Sequence, residues 1–443
     1  IMGEWVNHSG TGINQYNTIT GELISTVGSE GLDYAAMADY ARKVGNKNLR
    51  KMTFHERGQM LKALAMFLYN QRKKYYPIST QSGATKTDSW IDIDGGIGTL
   101  FAYASLRKKF PNQPFYVDGE TAPLSKEGTF IGHHIMVPKA GVAIHINAFN
   151  FPIWGMLEKL AVNLLAGMPA IVKPSELTSY LTQAMVLDII ESGLLPAGAL
   201  QLVCGSGIGI LDPVNSQDVV TFTGSASTGC MLKSLPQIIN NAVPFNMEAD
   251  SLNCSILGAD AIPGTEEFKL FIKEVRTEMT VKSGQKCTAI RRIIVPENLV
   301  EAVQNALSQQ LAKTTLGDPT LENVRMGPLA SVEQVNEVKA RVLDLCTENE
   351  IVYGSLDNFE VIGGNKEKGA FLAPILMVND NPFSKQKVHN LEAFGPVSTI
   401  LPYKTMDEAI ELAQMGKGSL VSSIVTNDDQ LAKEYIMGAA AYH

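Results

Sequence analysis

The stretch VAIHINAFNFP at residues 142–152, answered by AIVKPSE at 170–176, decides how this chain of 443 residues folds. Residues 142–146 and 170–172 are short runs that are apolar at nearly every position. Between them, from about Ile153 to Ala166, apolar side chains recur at helical spacing, and Gly167 stands where a helix ends. A strand that is apolar throughout needs cover on both faces, and a helix linking two such strands gives a βαβ unit with a parallel sheet. The alternation continues outward. Strands are expected at 200–203, 219–222 and 243–245, with helices at 178–192 and 225–235.

Beyond residue 251 the pattern restarts. Strands are expected at 255–257, 290–295, 351–353, 371–377, 397–401 and 420–425, and helices at 266–282, 299–313, 407–415 and from Gln430. Before residue 111 the chain reads as helical. Ser29 can cap a pattern at 32–44, Thr53-Phe54-His55-Glu56 is a capping box, and a third helix is expected at 88–109 despite Gly95, Gly96 and Gly98. Residues 111–138 have no helical period and read as a linker or as a strand-rich arm for another subunit. The expected domains are 1–110 with 139–250, the arm at 111–138, and a second α/β domain at 251–443.

Composition excludes several classes. Hydrophobic residues make up 45% and charged residues 19%, with 37 Lys and Arg against 45 Asp and Glu and no basic run, so nucleic acid is not an expected partner. No segment has the length and apolarity of a membrane span. The five cysteines (204, 230, 254, 287 and 346) are widely spaced without a CxxC, which argues against a disulfide framework and a thiolate metal site and favours the cytoplasm. No metal is expected, since His133 and His134 are adjacent in an extended segment and point to opposite faces. The chain opens on isoleucine, and its first residues are expected to be missing.

Several motifs fall at strand ends, each with two readings. Asn150 is able to aim its amide at developing negative charge or simply to cap a helix. Lys173 and Glu176 suit a nucleotide's sugar hydroxyls or a solvated loop. Gly224 and Ser225 open a helix whose N–H groups suit a phosphate. Glu248 suits a general base or an interdomain ion pair. Glu392 and Phe394 suit a ribose and a ring, or an ordinary turn. In Lys282-Ser283-Gly284-Gln285-Lys286-Cys287-Thr288 a thiol sits in a polar, glycine-containing turn between helix and strand, where a nucleophile is reachable. No G-x-G-x-x-G or G-x-S-x-G is present.

In order, Asn150-Phe151-Pro152, Lys173-Pro174-Ser175-Glu176, Phe222-Thr223-Gly224-Ser225, Glu248, Gly284-Gln285-Lys286-Cys287 and Glu392-Ala393-Phe394-Gly395-Pro396 resemble the aldehyde dehydrogenase superfamily from about Gly3 to the end. The wording at 145–152, 247–253 and 284–292 is similar to a branch acting on CoA-linked semialdehydes from phenylacetate and benzoate breakdown. The resemblance implies a Rossmann-type cofactor domain with an α/β catalytic domain, oxidation of a small-molecule aldehyde through a cysteine thioester, and a homo-oligomer. Cys287 is then the nucleophile, Asn150 the oxyanion donor and Glu248 the base. Ile146, Phe149, Lys173, Glu176, Gly224, Ser225, Glu392 and Phe394 line the cofactor, NAD or NADP, with Glu176 favouring NAD. The family continues past the point where this chain stops, so a longer native protein, with a fused hydratase domain in some relatives, is expected. The rival readings are a thiol acyltransferase or thioesterase without a cofactor, and a non-catalytic scaffold.

Overall fold

The structure is a computed structural model that describes residues 1–7 and 10–443. Its chain divides into two compact units, one of residues 1–15, 24–78 and 89–249, the other of 16–23, 79–88 and 250–443. Two segments of the expected first domain, 16–23 and 79–88, therefore belong to the second unit. Thr18 and Ala370 show why: the Ala370 N–H donates to the Thr18 carbonyl at 2.8 Å, and the Gly327 to Pro328 stretch abuts Gly83.

Strands β1 (Ile13–Tyr16) and β2 (Leu23–Val27) pair with each other early in the chain. The antiparallel hairpin of β3 (Tyr116–Pro123) and β4 (Ile131–Met136) occupies the expected arm, and nearly every residue in it is exposed. Leu124, Phe130, Ile131, Ile135 and Val137 are each more than half exposed there.

The first unit is built on a parallel sheet of β5 (Ala143–Ile146), β6 (Ala170–Lys173), β7 (Leu200–Leu202), β8 (Val219–Thr223) and β9 (Phe245–Glu248), in the order β7-β6-β5-β8-β9. The first strand has the second on one side and the fourth on the other, so the chain reverses its direction of winding between β5 and β8. Ligands of such sheets bind in the crevice at the carboxyl ends there. Strand β9 begins later than expected and ends on Glu248 rather than before it. Pro244 has no N–H to give the ladder; only its carbonyl joins, accepting from Val220 at 2.9 Å.

Helix Pro152–Ala166 ends on Gly167 at φ +85° and buries Ile153, Met156, Leu157, Leu160, Ala161 and Leu164. Against it lies helix Gly95–Leu106. A Cβ on Gly95 would come within 2.2 Å of the Trp154 ring, so the glycines that weaken this helix by propensity permit its packing. The expected third helix is therefore kept but broken, into Lys86–Ser89, a wide turn at Trp90–Asp94, and Gly95–Leu106. Thr53 forms its capping box with Glu56. Ser29 does not cap the following helix; Asp33 does, accepting from the Ala36 N–H at 2.9 Å.

The second unit's sheet comprises β10 (Cys254–Leu257), β11 (Arg292–Pro296), β12 (Glu350–Tyr353), β13 (Ile375–Val378), β14 (Val397–Tyr403) and β15 (Ser422–Val425). Its order is β12-β13-β14-β11-β10-β15, parallel except for the antiparallel edge strand β12. Helices Glu266–Thr280 and Val300–Leu311 pack a core of Phe271, Val275, Ile293, Val303, Leu307 and Ile400. Helix Val332–Leu345, capped by Ser331, was not among the expected elements; it buries Val335, Val338, Val342 and Leu345.

Candidate active site

The candidate residues fall into two groups, one in each unit. In the first unit they gather at the carboxyl ends of the sheet. Asn150 is buried in the loop between β5 and helix Pro152–Ala166. It is not the residue that satisfies the helix start: the Ile153 and Trp154 N–H groups donate to the Asp92 carboxylate, at 3.1 and 2.8 Å. The capping alternative for Asn150 is thus filled by a residue distant in sequence. The Phe149 carbonyl accepts from the Thr178 hydroxyl at 3.2 Å, which fixes the same loop to the start of helix Ser179–Glu191.

Lys173 ends β6, and its ammonium lies 2.6 Å from the Glu176 carboxylate, with the lysine side chain 10% exposed and the glutamate 27%. Gln15 donates to the Glu176 carbonyl and to the Ser179 hydroxyl, so this turn is braced. Ser225 is the N-cap of helix Ala226–Lys233, accepting from Thr228, and Gly224 donates its N–H to the Glu248 carbonyl at 3.1 Å. Glu248 makes no ion pair among the described residues. His145 is fully buried; burial, then the charge of Lys159, lowers its pKa to about 3, and its Nε2 lies 2.5 Å from the Asn163 amide. A neutral imidazole there is a packing group.

The second group lies at the amino ends of β10, β11 and β14, not at the carboxyl ends. Residues 281–291, which carry Cys287, enter β11. Lys282, Ser283 and Gly284 all take left-handed backbone angles, φ +54°, +54° and +68°. Such angles cost about 1–3 kcal/mol for a residue with a Cβ, so something must hold them. The Lys282 N–H donates to Asp88 at 2.8 Å, and the Ser283 hydroxyl to the Gly327 carbonyl at 2.7 Å. Gln285 donates to the Lys282 carbonyl and accepts from the Ala330 N–H at 3.0 Å. Gly284 is held against the 391–396 loop so closely that a Cβ would lie 2.2 Å from the Gly395 carbonyl oxygen.

After this turn comes Cys287, partly buried, with its carbonyl accepting from Asn253 Nδ2 at 2.8 Å. Asn253 also donates to Ala289 and accepts from Ser251 and Val421, so four hydrogen bonds meet on one buried amide. All five cysteines are thiols outside any disulfide. Burial pushes the Cys204 thiol up to about 11 and raises Cys346 as well, which leaves both protonated at neutral pH.

Glu392 is not in a solvated turn. Its side chain is 7% exposed, ion-paired to Arg291 at 3.0 Å and bonded by the Ser251 N–H at 3.1 Å. Burial raises its pKa, against the pull of Arg291. The Arg291 guanidinium also lies 5.4 Å from the Phe394 ring centroid. Arg291, Asn253, Asp88 and Gln285 are the residues that sequence reasoning missed around the thiol. Gln285, Asn253 and Arg291 lie within the quoted stretches 282–288, 247–253 and 284–292 but had no role assigned there, and Asp88 had no local signal for this contact.

The sequence matches the aldehyde dehydrogenase family over residues 5–441. The chain belongs to that family. It is accordingly an oxidoreductase that oxidises an aldehyde, and the reading as a cofactor-independent thiol acyltransferase or thioesterase has no support. Among curated relatives it is 41% identical to 3,4-dehydroadipyl-CoA semialdehyde dehydrogenase of Aromatoleum evansii, over 100% of this chain and 86% of that protein. It is 27% identical to alpha-ketoglutaric semialdehyde dehydrogenase of Bacillus subtilis, over 97% of this chain and 85% of the relative. Among solved structures, betaine aldehyde dehydrogenase from Staphylococcus aureus in complex with NAD+ shares the fold at a TM-score of 0.83 and 24% identity, over 99% of this chain and 84% of that one. Among the described residues no helix is long and apolar enough to cross a membrane.

Proposed function

We propose that this aldehyde dehydrogenase oxidises a CoA-linked semialdehyde to the acid, with NAD preferred over NADP. The observation that carries the mechanism is the strained turn at Lys282, Ser283 and Gly284, which is held by the Asp88 carboxylate and the Gly327 carbonyl from elsewhere in its unit and leads into Cys287. The CoA-linked substrate is supported by the 41% identical relative and its name.

The residues present fit a nicotinamide dinucleotide. The sheet of the first unit reverses winding between β5 and β8, a capped helix N-terminus follows Gly224, and Lys173 and Glu176 stand at the next strand end. Ser225 would hold the pyrophosphate, Lys173 and Glu176 the adenosine ribose, Ile146 and Phe149 the wall beside it, and Glu392 with Phe394 the nicotinamide half. When bound, that group takes up the hydride released from the substrate carbon.

The chain's own residues supply the rest. The Cys287 thiolate attacks the aldehyde carbon, and the Asn150 amide donates to the oxyanion. Loss of the hydride leaves a thioester on Cys287. Glu248 takes a proton from water, whose oxygen attacks the thioester carbon and releases the acid and the thiolate. Glu176 favours a free 2′-hydroxyl because a carboxylate repels a 2′-phosphate. We assign residues 1–110 with 139–250, apart from 16–23 and 79–88, chiefly to cofactor binding, and 251–443 with those two segments to the thiol chemistry. The exposed apolar β3–β4 hairpin is proposed as a contact in a homo-oligomer, and a reducing cytoplasm suits five thiols.

The test is a panel of free and CoA-linked aldehydes with NAD and with NADP, followed by absorbance of the reduced nicotinamide. CoA-linked semialdehydes should give the highest kcat/KM, and Cys287→Ala should reduce turnover at least 10³-fold. Equal rates with short free aldehydes would remove the CoA-linked assignment, and turnover surviving in Cys287→Ala would remove the nucleophile.

A further inference from the structure

One side chain joins the thiol-bearing loop to the loop that contains Glu392 and Phe394. Arg291 is 5% exposed and four residues after Cys287. Toward the first loop, its Nη2 donates to the Gly284 carbonyl at 2.9 Å and to the Lys286 carbonyl at 3.4 Å. Toward the second, its Nε donates to Glu392 Oε1 at 3.0 Å and its Nη1 to the Gly395 carbonyl at 2.7 Å, with the Phe394 ring nearby. The planar fork serves acceptors in divergent directions at once, which a lysine ammonium on a flexible stem cannot do. The next residue sets a contrast. Arg292, equally buried, donates to the carbonyls of Leu252, Leu412 and Ala413 and to His389, partners that lie in neither the Glu392 loop segment 392–395 nor the 284–287 turn.

We propose that Arg291 is a positioning residue that couples the nicotinamide-side segment, Glu392 to Phe394, to the loop that presents Cys287. The inference rests on the assignment of Glu392 and Phe394 to the cofactor made above. A ribose hydroxyl that engages the Glu392 carboxylate draws on the same group that Arg291 holds. The guanidinium carries that change to the carbonyls of Gly284 and Lys286, three residues and one residue before the thiol. Cofactor occupancy is thereby felt in the reactivity of Cys287, and by reciprocity an occupied thiol alters cofactor affinity.

The experiment measures the alkylation rate of Cys287 by iodoacetamide, followed on its own peptide by mass spectrometry, in the full chain with and without saturating NAD. In the parent protein NAD should change that rate at least fivefold. In Arg291→Met and Arg291→Lys the change should fall below twofold while calorimetry shows NAD bound within about tenfold of the parent Kd. With the best aldehyde, kcat should fall about 100-fold and KM for NAD rise less than tenfold, and adding Glu392→Gln to Arg291→Met should lower kcat no more than twofold further. A residue that only supports the fold would lower the melting temperature and leave the NAD response intact. Parent-like coupling in either folded variant, no NAD effect on the parent thiol, or additive losses in the double variant would each overturn the inference. If Arg291→Met does not fold, Arg291→Lys, which keeps the charge opposite Glu392, decides. A parent protein that reduces neither NAD nor NADP with any aldehyde defeats the functional reading instead, which separates the two failures.

Discussion

His389 makes the second unit sensitive to mild acid. It is 2% exposed, with Nε2 3.0 Å from the Pro382 carbonyl and Nδ1 3.1 Å from Arg292 Nη1. Arginine only donates, so Nδ1 is the acceptor and Nε2 carries the proton. A second proton would set an N–H against the guanidinium. Burial, then the charges of Arg292 and Lys417, lowers the pKa to about 4, opposed by the Pro382 carbonyl. The unfolded chain takes this proton near pH 6.5 and the folded one does not. The contribution is therefore complete above about pH 6.5 and is lost as pH falls toward 4. The 2.5-unit difference, at 1.36 kcal/mol each, amounts to about 3 kcal/mol. His389→Asn keeps an acceptor near Arg292 and does not titrate. Urea unfolding followed by far-ultraviolet circular dichroism between pH 4.5 and 8 should give two stability curves that converge on acidification, with a difference in slope approaching 1.4 kcal/mol per pH unit. Parallel curves would refute the reasoning, because His145 and every other shared group cancels in that comparison.

Two further outcomes follow from the site. Gly284→Ala would bring a Cβ to 2.2 Å from the Gly395 oxygen at a left-handed φ, so the turn must move by about 1 Å; kcat should fall about 10²-fold, and activity within twofold of the parent would show that this approach is dispensable. Glu176→Thr removes a carboxylate 2.6 Å from Lys173, which should raise the NADP-to-NAD ratio of kcat/KM by about fivefold or more, roughly 1 kcal/mol; an unchanged ratio rejects Glu176 as the reader of the 2′ position.

The strands of the first unit were legible because Val142, Ala143 and Ile144, like Ala170, Ile171 and Val172, are apolar on both faces, and only a doubly covered strand has that composition. Where a proline interrupts the run, as at Pro244, the reading slipped to the wrong residues. Helix Val332–Leu345 carried its signal at Val335, Val338, Val342 and Leu345, but charged residues between those positions diluted it. The candidate residues themselves were legible because each lies at the end of a local element. Their supports were not. Asp88 reaches Lys282 across 194 residues and Glu392 reaches Arg291 across 101, and no local pattern in a chain announces such a meeting.

The turn before Cys287 also dates the thiol within the life of the molecule. Asp88, Asn253, Gly327, Ala330 and Gly395 arrive from segments spread over some three hundred residues, to hold in turn the Lys282 N–H, the Cys287 carbonyl, the Ser283 hydroxyl, the Gln285 amide and the Arg291 guanidinium. Contacts so remote in sequence form late, after the loops between them have closed. A nascent or misassembled second unit therefore carries Cys287 on an unshaped loop, and the left-handed turn before it is among the last parts of the unit to form. The rate at which Cys287 acquires its native alkylation behaviour during refolding would serve as a clock for completion of that unit.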